Sequence, residues 1–174
     1  MSIDPHQSIH AMAKVMQAMG SIFNEVGLAA IHNTSPLPFL TSDNPVAWLN
    51  PATPFEQQQP YALQPNSPIL LMFPVSPNVL LLGSTEYRES FGAHGLLHSE
   101  VKDPEWVEVI NAQTCRFGYE AVIAQSPGQE DLIKRYASIS PIYKQTGGYV
   151  GQHLLPLPDY IFGTRTPKPK WHSK

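Results

Sequence analysis

Apolar positions change their spacing several times along the chain, and each change predicts an element. Ile9, Met12, Met16 and Met19 recur at helical spacing behind Asp4-Pro5, an N-cap acceptor followed by a first-turn proline, and Gly20 is the expected stop. Residues 23–31 read as a strand interrupted by Gly27, followed by an Asn33-Thr34-Ser35-Pro36 loop. Phe39-Leu40 and Val46 to Leu49 predict two further strands around a polar corner. Ile69 to Phe73 and Val79 to Leu82 are apolar without alternation, which predicts a buried hairpin or two central strands. Residues 83–99 read as irregular and polar. Asp103-Pro104 opens the strongest helix, with Trp106, Ile110, Phe117 and Ala121 inward and Pro127-Gly128 as its end. Gln129 to Ala137 predicts a second short helix, and the glycines and prolines beyond Pro141 predict irregular chain.

This order predicts an α+β fold. A small, mostly antiparallel sheet from residues 23–49 and 69–82 is covered on one face by the helix near Pro104 and by the N-terminal helix. Residues 1–150 are expected to form a single domain, and 151–174 an irregular, Pro-rich, basic tail.

Composition sharpens this picture in three places. Of 174 residues 42% are hydrophobic but only 14% charged, against about 25% in typical domains, so charge-driven recognition has little to work with. Eighteen prolines, about twice the usual share of roughly 5%, require many loops. The longest is residues 50–68, where five prolines flank Gln57-Gln58-Gln59 and predict an extended connection. A net charge of −3 without a basic block argues against nucleic acid as a partner; Lys168, Lys170 and Lys174 around Trp171 read as a solvated end. The start lacks the pattern of a secretion signal, and no apolar run approaches the roughly 20 residues of a membrane span, so a cytoplasmic location and no membrane partner are expected.

Candidate chemistry is concentrated in Thr41-Ser42-Asp43-Asn44, four hydrogen-bonding side chains ahead of Pro45. Such residues bond neighbouring backbone and build a turn; the competing reading places Asp43 and Asn44 in a pocket, with Asp43 as base or metal ligand. Asn111 is the other candidate: inside an apolar helix face it needs partners, in the sheet or on a ligand. Cys115, the single cysteine, excludes an intrachain disulfide and reads as a small buried hydrophobe. His6/His10 and His94/His98 are spaced for one helix face, but Gln7 and Gly95 stand where a zinc hydrolase carries its glutamate, so no metal is expected. No phosphate loop, dinucleotide fingerprint or nucleophile elbow occurs, and no cofactor is expected.

Phe39-Leu40-Thr41-Ser42-Asp43-Asn44-Pro45-Val46 resembles the hallmark of the family catalogued as domain of unknown function DUF4238. Phe73-Pro74-Val75-Ser76-Pro77 and Val109-Ile110-Asn111-Ala112 fit the same family in the same order, so the resemblance spans roughly residues 28–125. It implies further helices ahead of the corner, and no activity. Sparse charge, the Met-rich stripe and the missing catalytic set favour a binding or interaction module. The alternative is a hydrolase acting on nucleic acid or a phosphoester through Asp43, with or without a metal; a third reading is a shortened family member with a structural role. The Met-rich stripe would carry a homodimer contact or a protein partner.

Overall fold

In the apolar stretch 70–84 the chain reverses over Pro77-Asn78 and pairs with itself, β4 (Leu70–Ser76) against β5 (Val79–Ser84). The register shifts between Pro74 and Ser76, where proline has no N–H to give the ladder. The computed structural model describes residue 20 and residues 24–61, 67–92, 95–150 and 153–165, excluding the side chains of 145–150 and 153–159. The Met-rich segment of residues 1–19 and the basic end therefore lie outside the described residues.

Around this hairpin a five-stranded sheet forms in the order β3-β4-β5-β1-β6, with β1 Gly27–Asn33, β3 Ala47–Leu49 and β6 Leu97–Val101. All neighbours are antiparallel except β1 and β6, which run parallel. β2 (Thr41–Ser42) pairs with β7 (Val122–Ile123), and β8 (Ile139–Val150) with β9 (His153–Thr164). The helices are α1 (Arg88–Gly92), α2 (Pro104–Phe117) and α3 (Glu130–Tyr136).

α2 starts where the sequence demands it: the Asp103 carboxylate accepts from Glu105 N–H at 2.9 Å and Pro104 occupies the first turn. Its Val107, Ile110 and Phe117 close the core against Ala29, Ile31, Ala47, Leu49, Met72 and Leu80 of the sheet, together with Phe39. Burying each large aliphatic side chain contributes about 1.5–3 kcal/mol. The α+β architecture is thus present, with its mostly antiparallel sheet and its long helix on one face.

Several boundaries depart from the sequence pattern. Gly27 opens β1 instead of interrupting it, because a Cβ there would lie 2.7 Å from the Arg88 Cα of α1. Gly20 is itself helical. The polar stretch 83–99 contains the end of β5, α1 and most of β6. Residues 55–57 form a 3₁₀ turn within the long proline-rich connection. α2 ends at Phe117, so Ala121 is no part of its inward face. The expectation of irregular chain after Pro141 is corrected by the β8–β9 ladder, two strands of 12 residues each. In a two-stranded ladder each strand is an edge, and an edge tolerates proline where a central strand does not.

Candidate functional site

The corner is built from its own backbone outward. Ser42, 5% exposed, donates its hydroxyl to Asn44 C=O at 2.8 Å and accepts Asn44 N–H at 3.2 Å. Thr41 sits opposite Ile123 in the β2–β7 ladder. Asp43 N–H donates to Ala121 C=O at 3.1 Å, and its carboxylate accepts Tyr119 N–H (2.9 Å), Glu120 N–H (2.9 Å) and Ala121 N–H (3.3 Å). These three amides follow the last turn of α2. Captured by Asp43 they do not continue the helix, which is why it stops well before Pro127.

The two asparagines close the remaining gaps. Asn111, with 0% exposure, accepts Leu40 N–H at 2.8 Å and donates to Pro38 C=O at 2.9 Å, so its carboxamide pairs with the chain entering the corner as a neighbouring strand would. Asn44 donates to Phe117 C=O at 2.9 Å and to the Tyr61 hydroxyl. Gly118 lets α2 approach closely: a Cβ there would lie 3.2 Å from the Ser42 Cβ and 3.3 Å from Ala121 C=O. All five candidate residues therefore surround the pre-corner chain, the turn and the end of one helix.

Tyr61, its partner Tyr119 and Arg165 carried no sequence signal. Tyr61, the described non-glycine residue with positive φ (62°), accepts from Tyr119 hydroxyl at 3.2 Å. Burial, then its bond and proximity to Tyr119, push the Tyr61 phenol above its ordinary range against the opposing bond from Asn44. Arg165, just past β9, donates Nη2 to the carbonyls of Cys115 (2.9 Å) and Gly118 (2.7 Å), placing a cation on the C-terminal end of α2. An arginine isolated in a proline-rich stretch offers nothing local from which to infer this.

Burial pushes the Cys115 thiol up to about 11, with Arg165 and Arg116 opposing it, so it stays protonated at neutral pH and is a poor nucleophile. His98 does not share a helix face with His94: it lies on β6, bonded ring to ring with His32 of β1 at 3.0 Å, and His94 is outside the described residues. Among the described residues no group of three His, Cys, Asp or Glu side chains is placed to hold a metal.

Beside the corner runs an apolar groove of about 400 Å³ between Phe39–Ser42, Phe73–Pro77 and Ile123. Its openings are marked by Val75 and Ile123, both more than half exposed. No described helix is long and apolar enough to cross a membrane.

A family model described as protein of unknown function (DUF4238) matches residues 1–128. No curated protein and no solved structure matches the chain.

Proposed function

The chain belongs to the DUF4238 family of proteins of unknown function, and from that premise we propose that it is a cytoplasmic binding module whose polar corner is scaffold and not catalyst. The observation that carries this reading is the Asp43 carboxylate, whose two oxygens accept three backbone N–H groups. Its lone pairs are directed at those donors, so the carboxylate is occupied in holding the chain and is not turned towards a substrate. The Asn111 carboxamide is equally committed, to Leu40 and Pro38. Recognition then falls to the grooves that this scaffold holds open. The Met-rich stripe of Ile9, Met12, Met16 and Met19 supports self-association as an additional contact, which sedimentation velocity at micromolar concentration tests.

Asp43→Ala separates scaffold from catalyst. The expected result is a lower denaturation midpoint, and no difference from the parent protein in hydrolysis of bis(p-nitrophenyl) phosphate with Mg²⁺ or Mn²⁺. Turnover that disappears with Asp43 while the midpoint is unchanged would establish the hydrolase instead.

A further inference from the structure

Away from the corner, the parallel seam of the sheet carries a pair of histidines. Side chains alternate along a strand, and Ala29 and Ile31 of β1 belong to the core, so His32 points out. The β1–β6 register sets Ala30 against His98 and His32 against Glu100, which puts both histidines and Glu100 on that outer face. Ala30 presents only a methyl group opposite His98, so the His98 ring has room to lean along the ladder to His32. The core uses neither ring, and both residues are exposed.

Their contact is nitrogen to nitrogen. His32 Nε2 lies 3.0 Å from His98 Nδ1, and the rings are inclined by 16° with centroids 5.3 Å apart. That separation is too wide for face-to-face packing, so the rings meet at their edges. One of the two nitrogens carries a proton and the other receives it. An exposed bond of this kind adds little to a fold.

The same two nitrogens lie within the bite of one metal ion. With metal–nitrogen bonds of about 2.0–2.1 Å, ligands at a right angle stand about 2.9 Å apart and tetrahedral ligands about 3.4 Å apart. The observed 3.0 Å falls between these values. A turn of roughly 45° in each ring aims both lone pairs at one point on the solvent side, a movement of exposed side chains alone. The shared proton then passes to the other nitrogen of the ring that held it, so two neutral imidazoles coordinate and no proton is lost.

Glu100 stands beside this pair and is already engaged. Its carboxylate accepts the Thr34 hydroxyl at 2.7 Å, and its other oxygen lies 3.5 Å from Lys102 Nζ. It gives the face negative charge without completing a triad, which leaves two imidazoles as the protein's donors. Imidazole suits copper, nickel and zinc, whereas magnesium and calcium require oxygen.

We propose that His32 and His98 form a surface chelate for one divalent transition-metal cation, Cu²⁺ ahead of Ni²⁺ and Zn²⁺, with water in the remaining positions. The site shares no residue with the corner. It goes beyond the binding-module reading, which does not depend on it.

The test titrates the untagged full chain, first stripped with EDTA and dialysed, with CuCl₂ in a weakly coordinating buffer at pH 7.4. Isothermal calorimetry should show saturable binding, with Zn²⁺ weaker than Cu²⁺ and no heat from Mg²⁺. His32→Asn and His98→Asn should each weaken Cu²⁺ binding by about tenfold or more, because a chelate becomes a single contact. The double variant should be little weaker than either one, since the first loss already removes the chelate. In proton NMR of the parent, Zn²⁺ should shift the ring signals of His32 and His98 before those of the other histidines. That measurement needs no variant and decides the matter if a substituted chain fails to fold. No saturable Cu²⁺ binding, equal Cu²⁺ binding by the parent and both single variants, or shifts that begin at other histidines would overturn the proposal.

Discussion

Asn111 and Gln113 stand two residues apart on the same helix, each with a carboxamide at least nine-tenths buried, and their surroundings are opposite. The Asn111 oxygen and nitrogen both meet backbone, at 2.8 and 2.9 Å, on the chain that enters the corner. The Gln113 oxygen is buried and meets no donor among the described residues. Burial alone therefore does not tell whether an amide is tied into the fold. What distinguishes them is whether the fold itself supplies the partner. On the corner side the Ser42, Asp43, Asn44 and Asn111 side chains are closed upon backbone; at Gln113 an acceptor is left over, at a cost in stability.

The comparison fails or sharpens most visibly at Asn111. Asn111→Ala strands Leu40 N–H and Pro38 C=O in the core, and a loss of about 2–5 kcal/mol is expected in chemical denaturation. Asp43→Ala comes next, at about 1–3 kcal/mol, because its three donors lie nearer to solvent and water can replace part of what is removed. If Asp43 proves the costlier of the two, depth of burial is not what ranks these sites. Gln113→Leu is expected within about 0.5 kcal/mol of the parent, or above it, since an unpaired acceptor is exchanged for an apolar group. A loss beyond 1 kcal/mol, roughly the average for point substitutions, would reveal a partner for Oε1 and end the contrast.

The smallest effect concerns an exposed group. The Thr34 hydroxyl, donating at 2.7 Å, holds the Glu100 carboxyl below its ordinary range; slight desolvation opposes this, and Lys102 and His32 add to it. A depressed folded-state pKa stabilises above the unfolded value and loses that contribution as pH falls through the folded one. Glu100→Gln should therefore leave stability at neutral pH slightly lower and make the thermal midpoint less sensitive to acid below about pH 4.3. An identical acid limb in parent and variant would show that the Thr34 bond contributes nothing.

Contacts made close in sequence could be anticipated from it. The β4–β5 hairpin follows from two apolar runs around Pro77-Asn78, the start of α2 from Asp103-Pro104, α3 from its own short pattern, and the corner as a turn from Thr41 to Pro45. Each rests on interactions within a few residues, where periodicity and turn chemistry act directly. The tertiary structure decided the rest. It set β6 in parallel against β1, stopped α2 at Phe117, zipped β8 to β9, and brought Asp43 to Tyr119 and Glu120 and Asn111 to Pro38 and Leu40. Those last partners lie 71 to 77 positions away along the chain. A side chain's local pattern states that it needs donors or acceptors, but which backbone supplies them depends on how distant elements pack around a shared core.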